Sequence, residues 1–285
     1  MPHKQKAKFN VSAFLRLTRF WNLFIIGIAQ YFAAVFLIDV RLLLDWKLLV
    51  LASSTAIIAG AGYIINDYYD IKIDLINKPG RVVIGKDIGR RYALFFHSVL
   101  SLVGVILGFL LGWRLGFIHI FSSFILWWYS NSLKRQPFVG NFMVALLTGI
   151  SILLVNVLYD LNNPFVMIYS LFAFFMTLVR EIIKDIEDLK GDNTFGCKTL
   201  PIIWGIRKTK GMVYFLLALF SVLVLLMNAT YTQLPFLYFL VFLFTPLIVF
   251  LFVLMRADTK QRFHMLSQWC KVIMVVGVMS MAFVN

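Results

Sequence analysis

The chain has 285 residues, of which 61% are apolar and only 14% charged. Soluble domains carry about 25% charged residues, so the composition excludes a soluble globular protein and indicates an integral membrane protein. The net charge of +14 would suggest a nucleic-acid partner in a soluble chain; here it reports orientation, because Lys and Arg collect on the cytoplasmic side of membrane proteins, and no nucleic acid is expected.

The basic stretch MPHKQKAKFNVSAFLRLTR opens the chain. The apolar run behind it is longer than a signal-peptide core and has no clear cleavage site, so it reads as an uncleaved first span. A spanning helix needs about 20 mostly apolar residues. By that criterion spans are expected over 20–38, 47–66, 92–113, 116–130, 138–158, 164–184, 211–228, 235–255 and 266–284. The fourth is short and must tilt, thin the bilayer or end in a polar site. No block has soluble-domain composition, so residues 1–285 read as one all-α, polytopic membrane domain. Nine transmembrane helices are expected, bundled around a central cavity open to the cytoplasmic side. Cys197 and Cys270 lie far apart without metal-like spacing and read as reduced thiols.

Loop charge sets the topology. Four of the 27 basic residues, Arg41, Lys47, Arg114 and Lys271, fall outside one side's loops, and Lys271 lies within the last span. The rest occupy the N-terminal arm (including Lys4, Lys6 and Lys8) and the loops after spans two, four, six and eight. The N-terminus is therefore expected in the cytoplasm and Asn285 outside, in the cell (inner) membrane.

Nearly all the acidic residues on that side sit in two clusters. NDYYDIKID, from Asn66, follows span two, and REIIKDIEDLKGD, from Arg180, follows span six. Asp67, Asp70 and Asp74 have the same spacing as Asp185, Asp188 and Asp192. Positions i, i+3 and i+7 lie on one helix face, so each trio forms a stripe of like charge that cations must neutralise. Ligands that are all oxygen, with no His or Cys beside them, select a hard cation such as Mg²⁺, which keeps waters and is completed by substrate phosphates. Two facing stripes would hold a metal-bridged diphosphate, and nearby Lys and Arg would take the oxygens the metal leaves free. A solvated charged loop would not repeat this spacing at two like-sided helix ends. A cation transport path, the other alternative, lacks acidic residues in the remaining spans to continue it. A diphosphate at a membrane surface implies a lipid tail, which suits a chain with 29 phenylalanines.

The two clusters resemble the paired aspartate-rich motifs of the UbiA superfamily of intramembrane prenyltransferases. The resemblance extends over the whole chain and implies nine helices, a prenyl diphosphate donor, a membrane-associated acceptor and Mg²⁺. It places Asn66, Asp67, Asp70 and Asp74 in the first motif and Asp185, Asp188 and Asp192 in the second. LTRFWN is similar to the start of helix one and adds Arg19 and Asn22 as active-site polar residues. INKPGR adds Lys78 and Arg81; YSNSLKRQPFVGN, at the end of helix four, adds Tyr129, Lys134 and Arg135. Two departures are visible: Phe20 stands where Pro often follows the helix-one Arg, and VVIGK replaces a PIPSG-like loop after Arg81.

Within the superfamily, REIIKDIEDLKGD, GCKTLP and YSNSLKR resemble the branch that makes digeranylgeranylglyceryl phosphate. The expected reaction is Mg²⁺-dependent transfer of an isoprenoid chain, geranylgeranyl by resemblance, from its diphosphate to geranylgeranylglyceryl phosphate. Lys134, Arg81 and Lys198 would stabilise the leaving diphosphate, Tyr129 would orient the acceptor, and Arg19, Lys184 and Arg135 are further phosphate partners. The alternative acceptor is an aromatic acid of quinone biosynthesis (4-hydroxybenzoate, homogentisate or dihydroxynaphthoate).

Overall fold

The computed structural model describes residues 11–284; the basic arm with Lys4, Lys6 and Lys8, and Asn285, lie outside the described residues. A short helix α1 (Val11–Leu17) leads into α2 (Phe20–Leu37). Then come α3 (Trp46–Asn77), α4 (Arg90–Leu111), α5 (Trp113–Asn131), α6 (Val139–Leu158), α7 (Pro164–Thr194) and α8 (Leu200–Met227). Next, α9 (Phe236–Phe239) continues through a π-helical stretch, Leu240–Phe244, into α10 (Thr245–Met255), and α11 (Lys260–Ser280) follows. Among the described residues there is no strand, only an isolated bridge between Ile84 and Ile88. Eight helical segments are long and apolar enough to cross a membrane. The ninth expected span is α5, whose 19 residues include Arg114, His119 and a polar end at Tyr129–Asn131. The protein is a multi-pass membrane protein.

Two helices are much longer than the bilayer requires. α3 has 32 residues and α7 has 31, about 48 and 46 Å at 1.5 Å per residue, against a hydrocarbon core of about 30 Å. Each therefore carries roughly ten residues beyond its apolar segment, and both overhangs project at the same end of the bundle, called here the motif face. α7 starts on Pro164, pre-set for a first turn, with Asn163 Oδ1 accepting from Phe165 and Val166 N–H.

Packing divides the bundle into three apolar clusters. The largest joins α6–α11 around Met176, Phe220, Phe250 and Phe263. A second joins α2, α3, α5, α6 and α7 at the end opposite the motif face, through Ala33, Leu48, Leu51 and Val155. The third lies on the motif face: Val83, Ile84 and Ile88 of the loop after Arg81 pack on Ala13 and Leu17 of α1 and on Ile64. The VVIGK departure thus buries branched apolar side chains under α1, and Arg16 Nη2 ties α1 to Asp87 of the same loop at 2.9 Å. Gly85, at φ +91°, makes the turn that lets this loop fold back. Both cysteines are free and buried.

Candidate active site

The site is built on the overhangs of α3 and α7. Asn77, the last residue of α3, is buried and clamps them together: its Nδ2 donates to the Asp188 carbonyl at 3.1 Å, and Gly191 N–H donates to its Oδ1 at 3.0 Å. The approach is close enough that a Cβ on Gly191 would meet the Asn77 amide at 2.4–2.5 Å. This clamp sets the two carboxylate stripes against each other. Asp70 acts electrostatically on Asp192 across the gap, as does Asp188 within the same stripe, while Asp74 is opposed by Asp70 and Asp67.

Three cations and one amide, each from a different segment, reach into the stripes. Arg19 joins α1 to α2 in the left-handed conformation, φ 54°. Its guanidinium lies 4.6 Å from the Tyr63 ring centroid, and Nη2 donates to Asp67 Oδ1 at 2.9 Å. That strained backbone, at a cost of about 1–3 kcal/mol, turns the chain where the guanidinium enters the site. Lys134, on a one-turn 3₁₀ helix after α5, donates to Asp70 Oδ1. Lys78, just past α3, donates to Asp188 Oδ2 at 2.6 Å and lies 3.8 Å from Glu187. Asn141, buried on α6, donates to Asp185 Oδ2 at 2.8 Å.

Asn22 is within reach of the same wall, its Nδ2 donating to the Tyr63 hydroxyl at 3.4 Å. Tyr129 shares the electrostatic neighbourhood of Glu181, Asp185 and Asp70. Lys184 turns away from the aspartates and pairs with Glu181 at 2.9 Å. Arg81, Arg135 and Lys198 are exposed. The last two belong to one rim, where Lys198 N–H donates to the Arg135 carbonyl at 2.8 Å. An apolar groove of about 310 Å³ between α5 and α6, lined by Phe117, Phe121 and Leu154, lies at the other end of the bundle.

Among the described residues no three carboxylates, imidazoles or thiols converge as a ready ligand nest; lysines, an arginine and an asparagine hold the aspartates apart from one another. The donor set nevertheless fits a hard divalent cation. It is all oxygen, and one buried acceptor in each motif, Asn66 Oδ1 and Asp188 Oδ1, has no hydrogen-bond partner. Buried acceptors left without a partner cost about 1–3 kcal/mol each, and a bound cation would remove that penalty.

Asn77, Asn141, Tyr63 and Glu181 do not stand out in the sequence. Each is an ordinary residue of a span or a helix end until another helix is brought against it. Asn77 alone left a trace: it is an amide three residues beyond the last aspartate of the first motif, in INKPGR.

Comparison with known proteins agrees with this architecture. The model of the UbiA prenyltransferase family matches residues 23–271. The digeranylgeranylglyceryl phosphate synthase of Methanosphaera stadtmanae is 34% identical over 239 residues, 82% of this chain and 86% of that protein. That of Sulfurisphaera tokodaii is 34% identical over 257 residues, 88% and 90% of the two chains. A solved structure of digeranylgeranylglyceryl phosphate synthase superposes with a TM-score of 0.69 at 26% identity, covering 96% of this chain and 97% of that one. A UbiA homolog from Archaeoglobus fulgidus, bound to GPP and Mg²⁺, shares the fold at a TM-score of 0.64 and 13% identity over 95% and 99%. With nearly its whole length matched, and with two aspartate stripes on paired helical overhangs, the chain belongs to the UbiA prenyltransferase family and is a prenyltransferase.

Proposed function

We propose that this prenyltransferase moves a geranylgeranyl chain from its diphosphate to the free hydroxyl of geranylgeranylglyceryl phosphate. The observation that carries the reading is the clamped pair of carboxylate stripes with an orphaned buried oxygen in each. The names of the relatives support the acceptor. Asn66, Asp67, Asp70, Asp74, Asp185, Asp188 and Asp192 are the residues that would hold Mg²⁺. Bound there, Mg²⁺ supplies charge neutralisation and Lewis-acid polarisation of the diphosphate.

The protein's own groups do the rest. Lys78 and Lys134 already sit among the aspartates and are placed to take diphosphate oxygens as negative charge develops on them. Arg81, Arg135 and Lys198 form a basic rim that draws the diphosphate in. Arg19, Asn22 and Tyr129 position the acceptor. The donor's C1–O bond breaks with its electron pair leaving on the diphosphate. A lone pair of the acceptor hydroxyl forms the new C–O bond, and its proton passes to the released diphosphate, since no residue is assigned as a dedicated base. Residues 1–285 act as one domain, with the motif face in the cytoplasm, the N-terminus on that side and the C-terminus outside the cell membrane.

The test offers purified protein and Mg²⁺ geranylgeranyl diphosphate with equal amounts of geranylgeranylglyceryl phosphate, 4-hydroxybenzoate, homogentisate and dihydroxynaphthoate, and reads products by mass spectrometry. Digeranylgeranylglyceryl phosphate is expected to dominate; a dominant aromatic product would overturn the acceptor assignment.

A further inference from the structure

Lys271 lies 11 residues inside the motif-face end of α11, about 16 Å along the helix axis. An ionisable side chain at that depth marks function more often than anchoring. Its surroundings are unusual for an intramembrane lysine. Thr177 Oγ1 donates to Met274 Sδ at 3.8 Å, and His264 Nδ1 meets Glu187 Oε1 at 3.0 Å. These contacts are ten residues apart on both helices, so α7 and α11 run antiparallel in step, and Lys271 comes level with Arg180. Lys271 shares its face of α11 with Met274 and the buried Ser267. It therefore looks toward α7 and not outward to lipid. The strongest electrostatic influences on it are four cations, Arg180, Lys184, Arg19 and Arg81. Among the described residues no ion pair engages it.

Arg180 and Lys184 share one carboxylate, Glu181, through Nη1 to Oε1 at 2.7 Å and Nζ to Oε2 at 2.9 Å. Arg180 Nε–H is buried with no acceptor. Two cations thus share one carboxylate, Lys271 brings a third positive charge level with them, and a buried donor points at nothing. Like charges gathered away from water are costly without a counter-anion. A phosphate monoester carries about −1.5 to −2 at neutral pH and three acceptor oxygens, enough to take a hydrogen bond from each of these three side chains; a benzoate carries about half that charge and only two oxygens. The pocket is also distinct from the diphosphate stripes. Arg180 precedes Asp185 by five residues, about 7.5 Å deeper along α7, on the membrane side of the stripes.

Resting on the proposed transfer to a glyceryl phosphate, we infer that Arg180, Lys184 and Lys271 form a second anion pocket that binds the phosphate monoester of the acceptor. Anchored there, the acceptor presents its free hydroxyl, a few bonds from the phosphate, toward the donor carbon held above it. The pocket would then select a phosphorylated acceptor over an uncharged or singly charged one.

The test uses the full chain in nanodiscs with Mg²⁺, measuring KM separately for geranylgeranyl diphosphate and geranylgeranylglyceryl phosphate. Lys271→Met keeps length and packing while removing the charge. It is expected to raise the acceptor KM at least tenfold, in keeping with loss of a charge-assisted hydrogen bond, and the donor KM less than twofold. Lys271→Arg is expected to restore the acceptor KM to within threefold. With geranylgeranylglycerol, which lacks the phosphate, wild type and Lys271→Met should become equal. An acceptor KM within twofold of wild type in Lys271→Met, or equal rises in both KM values with no rescue by Arg, would overturn the pocket while leaving the transfer reaction standing. Absence of transfer to geranylgeranylglyceryl phosphate by the wild type itself would overturn the reaction, and the pocket with it.

Discussion

Gly191 and Asn77 lock the two acidic helices together at close range: Gly191 N–H donates to Asn77 Oδ1 at 3.0 Å, and no Cβ fits between them. Replacing a mid-helix Gly by Ala ordinarily stabilises a helix by about 1 kcal/mol. Gly191→Ala should do the opposite, because Asn77 is buried and bonded at both ends of its amide and cannot swing aside. The expected result is a lower thermal midpoint and at least a tenfold weaker binding of geranylgeranyl diphosphate in Mg²⁺, read by unfolding and calorimetry. A neutral or stabilised variant would show that the clamp does not set the site.

Under the proposed chemistry, Asp67→Ala and Asp185→Ala should each abolish transfer, with insertion and folding retained, as judged by size-exclusion elution in detergent. EDTA should silence the wild type and Mg²⁺ restore it. Near-normal turnover in either variant would be incompatible with a site shared by both stripes.

Lys134 is paired with Asp70, one of the proposed metal ligands. Lys134→Met leaves that carboxylate uncompensated, and breaking a buried pair costs about 3–5 kcal/mol; at partial exposure we expect a fraction of this. The loss should appear in EDTA and shrink in Mg²⁺, so the Mg²⁺-induced rise in thermal midpoint should be larger in the variant than in wild type. An equal or smaller rise would separate Lys134 from the metal site. Turnover should fall at least tenfold in either case.

Asn141 holds Asp185 at 2.8 Å from α6. If Asp185 holds Mg²⁺ as proposed, Asn141 orients a metal ligand, and such groups typically contribute 10–100-fold in metal affinity or activity. Asn141→Leu should therefore raise the Mg²⁺ concentration needed for half-maximal transfer by about tenfold. An unchanged Mg²⁺ titration would assign Asn141 to packing alone.

Much of this molecule is written in local pattern. Apolar run length and the sidedness of Lys and Arg mark the spans, because a bilayer imposes a fixed thickness and forces every backbone group to be satisfied within a helix. The Asp spacing at i, i+3 and i+7 marks the candidate metal face, because helical geometry alone decides which residues share a side. Even the overhangs of α3 and α7 are legible, since the apolar windows end at Asn66 and Lys184 while helix-compatible residues continue. What the sequence does not contain is which residues meet across helices. Asn77 becomes a clamp only where Gly191 lets α7 approach, and Asn141 becomes an Asp185 donor only because α6 lies against α7. Lys184, beside an aspartate in sequence, turns to Glu181 because one residue is 100° of helical rotation. Lys271 reads as a stray charge in an apolar span until the antiparallel register of α7 and α11 sets it level with Arg180. Local periodicity fixes faces and lengths, but register and partner choice come from side-chain packing between segments distant in the chain, and only the tertiary structure holds those.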